Sequence, residues 1–224
     1  FHNRTLYETG VEAATEIVGI FKMGGDTWTK TRHTVRPQIR YEYRPKVGQS
    51  GLPSFDSTDR VERRNRITYG LVNFFNARLD HAPGEVEYLD FARLEFRQSY
   101  DLRRPEGSTS RAFSNVFTQL DFTPKRYLNF TYNNQYSPYD GDFKSHELLA
   151  HLWDSRGDKL TADYRRQLDE DGKTIVDEIG AQLHLNLWEG LSFNVRSDYD
   201  VKRTRNIKSE YNIMLQRQCW GISV

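Results

Sequence analysis

The sequence predicts an all-β protein, an antiparallel transmembrane β-barrel. Three observations carry that prediction. Polar and apolar side chains alternate for ten or more residues at a stretch, turn residues punctuate the alternation, and aromatic residues gather towards the ends of the apolar parity. Alternation marks a two-faced strand because successive side chains project to opposite sides. A helix would scatter each set around its circumference.

About twelve such segments follow one another, near 5–21, 27–43, 60–79, 86–102, 112–123, 126–137, 144–154, 159–168, 175–187, 190–202, 208–216 and 218–224. The first is the least regular: Glu8, Glu12 and Glu16 are spaced for a helix, but Gly10 and Gly19 oppose one. In the second, Lys30, Arg32, Thr34, Arg36, Gln38, Arg40 and Glu42 oppose Val35, Pro37, Ile39, Tyr41 and Tyr43. In the fourth, Ala92, Leu94, Phe96 and Tyr100 oppose Arg93, Glu95, Arg97, Ser99 and Asp101. The sixth sets Leu128, Phe130, Tyr132 and Tyr136 against Asn129, Thr131, Asn133 and Gln135. The ninth sets Ile179, Ala181, Leu183, Leu185 and Leu187 against Glu178, Gly180, Gln182, His184 and Asn186. The tenth sets Leu191, Phe193, Val195 and Tyr199 against Ser192, Asn194, Arg196 and Asp198. Turn chemistry separates them at Gly24-Gly25-Asp26, Pro83-Gly84, Thr123-Pro124-Lys125, Arg156-Gly157-Asp158, Asp171-Gly172 and Glu189-Gly190. Short connections are expected to alternate with longer ones, which include Pro45 to Asp59, Arg103 to Ser110 and Ser137 to Lys144. Tight turns at one end and long loops at the other are the habit of outer-membrane barrels.

Composition fits strands with one face in lipid and one in water. Hydrophobic residues make up 37% and mean hydropathy is −0.79, so the chain lacks the run of about 20 apolar residues that a membrane-spanning helix needs. The 13% aromatic content argues against disorder. Lys and Arg (32) nearly balance Asp and Glu (31), so no global field invites nucleic acid. Strand length separates the two possible environments: soluble strands commonly run about 5–6 residues, whereas tilted membrane strands need roughly 9–11. A soluble β-sheet binding module remains the alternative. In the barrel, Trp28, Tyr41, Tyr43, Tyr100, Tyr136, Trp188 and Tyr199 are placed for interfacial girdles. The candidate lumen-lining residues are Arg32, Arg36, Arg40, Glu42, Arg93, Glu95, Arg97, Asn133, Gln182, His184 and Arg196. Two readings stand for them, a solvated wall of interdigitated ion pairs and arginine contacts to anionic sugar or phosphate groups.

Enzyme signatures fail on geometry. His146-Glu147-Leu148-Leu149-Ala150-His151 has the two imidazoles five apart, on opposite faces of a strand, where they cannot share a metal. Asp169-Glu170-Asp171-Gly172 lacks the ligand ladder of a calcium loop and reads as a hairpin turn. No GxGxxG, P-loop or GxSxG occurs. The cluster Arg60, Arg63, Arg64 and Arg66, interrupted by Glu62, reads as a solvated loop and strand base. No catalytic residue, metal site or cofactor is expected. The absence of an initiating Met and of a signal-peptide pattern, and an end inside the strand-like Trp220-Gly221-Ile222-Ser223-Val224, point to a portion of a longer protein.

Several stretches, in order along the chain, resemble the C-terminal barrel of the LPS-assembly outer-membrane protein family, LptD, also called organic solvent tolerance protein. They are Arg36-Pro37-Gln38-Ile39-Arg40-Tyr41-Glu42-Tyr43-Arg44-Pro45, then Gln49-Ser50-Gly51-Leu52-Pro53-Ser54-Phe55-Asp56-Ser57-Thr58-Asp59, then Asn65-Arg66-Ile67-Thr68-Tyr69-Gly70. Smaller echoes are Gln98-Ser99-Tyr100-Asp101, Tyr136-Ser137-Pro138-Tyr139-Asp140-Gly141 and Gln218-Cys219-Trp220. The resemblance implies about twelve strands of a barrel of about 26, with residues 1–224 as a C-terminal portion that lacks both an N-terminal jellyroll and the last strand. It implies lipopolysaccharide transport and insertion at the outer membrane of a Gram-negative bacterium, with no bond made or broken. The implied partners are lipopolysaccharide, a plug lipoprotein in the lumen, a periplasmic bridge component reached through the N-terminal domain, and outer-membrane lipid. A general porin or receptor barrel would share the pattern without the Leu52-Pro53-Ser54-Phe55-Asp56 loop. In that loop Leu52, Pro53, Phe55 and Asp56 would cap the barrel mouth or gate sugar passage. Cys219 falls where the family joins barrel to jellyroll by disulfide, but Gln218 and Trp220 flank a lone cysteine, so a free thiol is the other reading.

Overall fold

The computed structural model describes residues 5–49, 61–103 and 111–224. The predicted loop cap Leu52, Pro53, Phe55 and Asp56 lies outside the described residues, as does Arg60. Thirteen strands form one antiparallel sheet in chain order. They are β1 (Thr9–Ala14), β2 (Ile17–Lys22), β3 (Trp28–Arg44), β4 (Arg64–Ala82), β5 (Glu85–Asp101), β6 (Val116–Lys125) and β7 (Leu128–Ser137). They continue with β8 (Asp142–Trp153), β9 (Lys159–Leu168), β10 (Thr174–Trp188), β11 (Leu191–Asp200), β12 (Arg205–Gln216) and β13 (Gly221–Ser223). The sheet does not close on itself: β1 and β2 pair only with β3, and β13 only with β12.

The predicted first strand is two. Both β1 and β2 pair with β3 in one continuous register, with Ala14 opposite Gln38 and Ile17 opposite Val35. The gap between them faces Pro37. The Pro37 carbonyl accepts the Thr15 N–H at 3.3 Å, and in an antiparallel ladder a residue's N–H and C=O address the same neighbour. The donor that proline lacks is therefore missing on this side, and the strand parts there. At the other end, the predicted 218–224 shortens to β13.

The connections alternate as expected at first and less so later. One end of the sheet carries 23–27, 83–84, 126–127, 154–158, 189–190 and 217–220; the other carries 45–63, 102–115, 138–141, 169–173 and 201–204. The predicted long connection from Ser137 to Lys144 is instead a tight turn, closed by the Gly141 N–H donating to the Ser137 carbonyl at 3.0 Å, with Gly141 at φ 67°. The Asp169–Gly172 turn is the predicted hairpin, with Gly172 at φ 79°.

Register places the two parities on two faces across the whole sheet. One face carries apolar rows such as Leu94–Leu120–Tyr132–Leu148–Tyr164–Ile179–Tyr199 and Leu128–Leu152–Leu160–Leu183–Val195–Tyr211. A register shift between Asn186 and Trp188 turns Trp188 onto this face, opposite Leu191. None of the described residues covers it. Among the described residues only Val72 and Ala77 are buried hydrophobics, whereas Ile39, Leu152 and Ile179 are each 50% exposed. A hydrophobic core of the ordinary kind is missing. All four tryptophans, Trp28, Trp153, Trp188 and Trp220, lie at the tight-turn end.

Two turn glycines separate backbone strain from steric conflict. Gly172 and Gly190 both have positive φ (79° and 78°), where a Cβ costs roughly 1–2 kcal/mol. A Cβ on Gly172 meets open space, but one on Gly190 would lie 2.1 Å from the Gln216 carbonyl oxygen, which is backbone and cannot swing away. Gly172→Ala is expected to cost about 1 kcal/mol, and Gly190→Ala clearly more. Denaturant unfolding of both variants in micelles checks the order; equal losses would show that the β12 end gives way freely.

Candidate functional site

The polar face is built row by row from residues that the register brings side by side. One row runs Arg36–Val72–Glu95–Gln119–Asn133–Glu147–Arg165–Glu178–Asp200. Other rows of the same face carry Arg40–Thr68–Ser99 and Arg93–Asp121–Thr131. Gln182 pairs with Arg196, and His184 with Asn194. Every predicted lumen-lining residue lies on this one face.

Within it, two carboxylates act as hubs. Glu42, 5% exposed, accepts from Arg66 Nε at 2.7 Å and Arg64 Nη1 at 3.2 Å, with Arg40 at 3.6 Å. Glu95, 7% exposed, holds Arg93 directly and has Arg97 at 3.7 Å. Arg93 reaches on to Asp121 at 3.3 Å, which also accepts from Gln119 at 2.9 Å and Thr131 at 3.1 Å. Further along, Arg165 pairs with Glu178 at 2.6 Å and Arg196 with Asp198 at 2.9 Å. The His184 ring lies 2.8 Å from Asn194 Oδ1 and 3.2 Å from Asn186 Oδ1. The crowding of charged groups here, set against the open apolar face, is what a sheet curled towards its polar side gives.

Not every charge is matched. Arg32 and Arg36 have no carboxylate within ion-pair distance among the described residues, and neither has Lys30. Lys22 stands directly opposite Lys30, a like-charge pair that destabilises an isolated ladder. Asn133 Oδ1 is buried without a hydrogen bond. A cavity of about 740 Å³ opens beside Gln38, Arg40, Arg66, Thr68 and Arg97. Hydroxyls, amides and guanidinium groups suit sugars and phosphates; among the described residues no group of three or more His, Cys, Asp or Glu could hold a metal ion. His146 and His151 fall on opposite faces, as their spacing requires, opposite Arg166 and Thr161.

Sequence parity found this face; what it missed is the free column along β3, which needs the partner of each side chain. It also missed Val18 and Ile20, apolar and exposed on the polar face opposite Thr34 and Arg32. Cys219 is exposed in the 217–220 turn, at the tight-turn end.

At the loop end, Asp140 is clamped by Arg111 at 2.5 Å, Lys144 at 2.9 Å and the Ser137 hydroxyl at 2.9 Å. The Arg111 guanidinium first, then Lys144 and Ser137, hold its carboxyl well below the usual carboxylate range. With a folded pKa below the unfolded one, the clamp is at full strength above the unfolded value of about 3.9 and weakens as pH falls below it.

A comparison with protein-family models matches residues 1–179, most of the chain, to the family described as LptD: LPS transport system D. No curated protein matches the chain.

Two outcomes are expected from this geometry. Glu42→Ala leaves three arginines facing one another; their partial exposure lets water screen them, so the loss is about 1–2 kcal/mol, measured by thermal unfolding in micelles and absent in Arg156→Ala. Asp140→Asn removes the acid-sensitive clamp. Amide exchange of the 138–141 turn should then be faster than in the unsubstituted protein at pH 5 and lose its extra acceleration below pH 4.

Proposed function

Because the chain belongs to the LptD family, a family of outer-membrane transport proteins, we propose that it transports lipopolysaccharide and inserts it into the outer leaflet of the outer membrane. The observation that supports this most directly is the uncovered apolar face. Taken from Ile179 to Trp188, ten residues of β10 at ~3.3 Å each and tilted by roughly 40° rise about 25 Å, the height of a barrel's apolar band. The apolar face meets hydrocarbon, with tryptophans at one boundary and tyrosines at the other. The polar face borders an aqueous lumen. Tight turns place the tryptophan end in the periplasm and the loops outside.

In this reading the thirteen strands are part of a barrel of about 26, and strands from the rest of the protein pair with the open edges at β1–β2 and β13. The lumen wall carries the saccharide. Arg32 and Arg36, which have no carboxylate within ion-pair distance among the described residues, meet its phosphate and carboxylate groups, while the Glu42 and Glu95 hubs keep other arginines from trapping it. A plug lipoprotein fills the lumen and a periplasmic bridge component delivers the substrate. Cys219, exposed on the periplasmic side, is placed for a disulfide with an upstream domain. In this reading the chemistry is passage, with no bond made or broken.

Depletion of the full-length protein tests the function: lipopolysaccharide should vanish from the cell surface and accumulate inside. An unchanged surface would refute it. Spin labels at Leu94, Leu183 and Phe193 should report lipid, and labels at Arg97 and Gln182 should report water.

A further inference from the structure

The apolar face has one polar row that does not fit it. Thr118, Asn134, His146, Arg166 and Asp177 are direct cross-strand partners on five successive strands, β6 to β10. Each lies within a few residues of its strand's loop end. On the hydrocarbon side of this row runs the row Leu120–Tyr132–Leu148–Tyr164–Ile179, whose tyrosines mark an interface. The polar row therefore stands at headgroup level on the outer wall, given the membrane placement proposed above.

Elsewhere on this face, two polar pairs satisfy one another across the ladder. His33 Nε2 lies 3.0 Å from Asn73 Oδ1, and Tyr69 donates to Gln98 at 2.5 Å. Arg166 is different. It is exposed, and among the described residues no carboxylate comes within ion-pair distance of it, although Asp177 stands directly opposite. Asp177 interacts with the Tyr164 hydroxyl instead, and its Oδ1 is buried without a hydrogen bond. Beside Arg166, His146 Nδ1 lies 2.7 Å from the Tyr132 hydroxyl. With that hydroxyl donating, Nε2 carries the ring proton and has no acceptor among the described residues. The Phe143 ring, 4.9 Å away, walls the imidazole on the loop side.

We infer that Arg166 and His146 form a binding site on the outside of the sheet for the phosphate of an outer-leaflet lipid headgroup. A guanidinium at an interface, with five N–H donors and no anion of its own, is matched by a phosphate with its oxygens in one plane of approach. The neighbouring imidazole N–H adds a second donor from the adjacent strand, where facing side chains are about 5 Å apart. Asp177 lies to the other side and keeps the phosphate on the His146 flank. The site is separate from the lumen: the Arg166 side chain lies on the opposite face from Arg165, which pairs with Glu178. It gives the outer wall a foothold for the lipids that surround the barrel.

The test uses the full-length protein in phosphatidylcholine nanodiscs doped with lipid A, its dephosphorylated form, or phosphatidylglycerol, with retained lipid counted by native mass spectrometry. Lipid A retention should fall about tenfold in Arg166→Gln, fall by an intermediate factor in Arg166→Lys, which keeps the charge but not the planar fork, and be unchanged or higher in Asp177→Asn. Dephosphorylated lipid A should not distinguish the variants. Phosphatidylglycerol retained as strongly as lipid A would place the phosphate diester in the same site and still require Arg166. Equal retention by Arg166→Gln and the parent, or equal losses in Arg166→Gln and Asp177→Asn, would overturn the site and leave the barrel reading standing. Failure of the parent protein to enter the nanodisc would overturn both.

Discussion

A sheet satisfies its backbone sideways, strand to strand, and leaves its two faces free to meet different surroundings. That separation governs this structure. Every strand from β3 to β12 has a partner on both sides, so the main chain makes no demand on solvent across most of the sheet. One face can then be apolar without any packing partner from the same chain. In water, the exposed Ile39, Leu152, Ile179 and Trp188 would drive collapse or association. In hydrocarbon they are already in the right solvent, and the exposed edges alone still need neighbours.

The same constraint explains why the polar face is so heavily charged yet so locally neutral. Charges that line a wet interior gain little from isolated pairs, but shared carboxylates let several arginines stand on adjacent strands without repelling the ladder apart. Glu42 between three arginines and Glu95 between two do this in the part of the sheet richest in arginine. Arg36 shares a row with the Glu95 hub, and Arg32 and the Lys22–Lys30 pair continue along the same face towards the tight-turn end, away from Glu42. Positive charge is thus left over along one stretch of this face and cancelled further along it.

Much of this was legible in the sequence because parity is local. A residue's face depends on its position in its own strand, so Arg93, Glu95 and Arg97, or Gln182 and His184, could be assigned without knowing their neighbours. Whatever depends on the neighbour was hidden. The break between β1 and β2 follows from Pro37 on the next strand, more than twenty residues away in sequence. Trp188 is expected in a girdle, but the bulge that turns it onto the apolar face is contained in no alternation rule. The turn at Ser137–Gly141 reads as a loop until the Ser137–Asp140 and Gly141–Ser137 hydrogen bonds close it. Equally, the i, i+2 spacing already sets Glu42 beside Arg40 in the sequence, but only the register shows that Asn76, and no carboxylate, stands opposite Arg32.

The distribution of aromatic residues adds an argument for direction that is independent of loop length. All four tryptophans sit at the tight-turn end, joined there by Tyr88 and Tyr127, whereas the loop end carries tyrosines alone, Tyr7, Tyr41, Tyr43, Tyr100, Tyr136 and Tyr139. Indole has a large ring and a single donor, which suits the shallow, phospholipid-like interface where the band must stop sharply. A phenol hydroxyl both donates and accepts, which suits a boundary crowded with sugars and phosphates. Tyr132 already uses its hydroxyl on His146, and Tyr69 its own on Gln98. Two ends of one hydrophobic band with different hydrogen-bonding chemistry call for two leaflets with different headgroups, and an asymmetric membrane provides them.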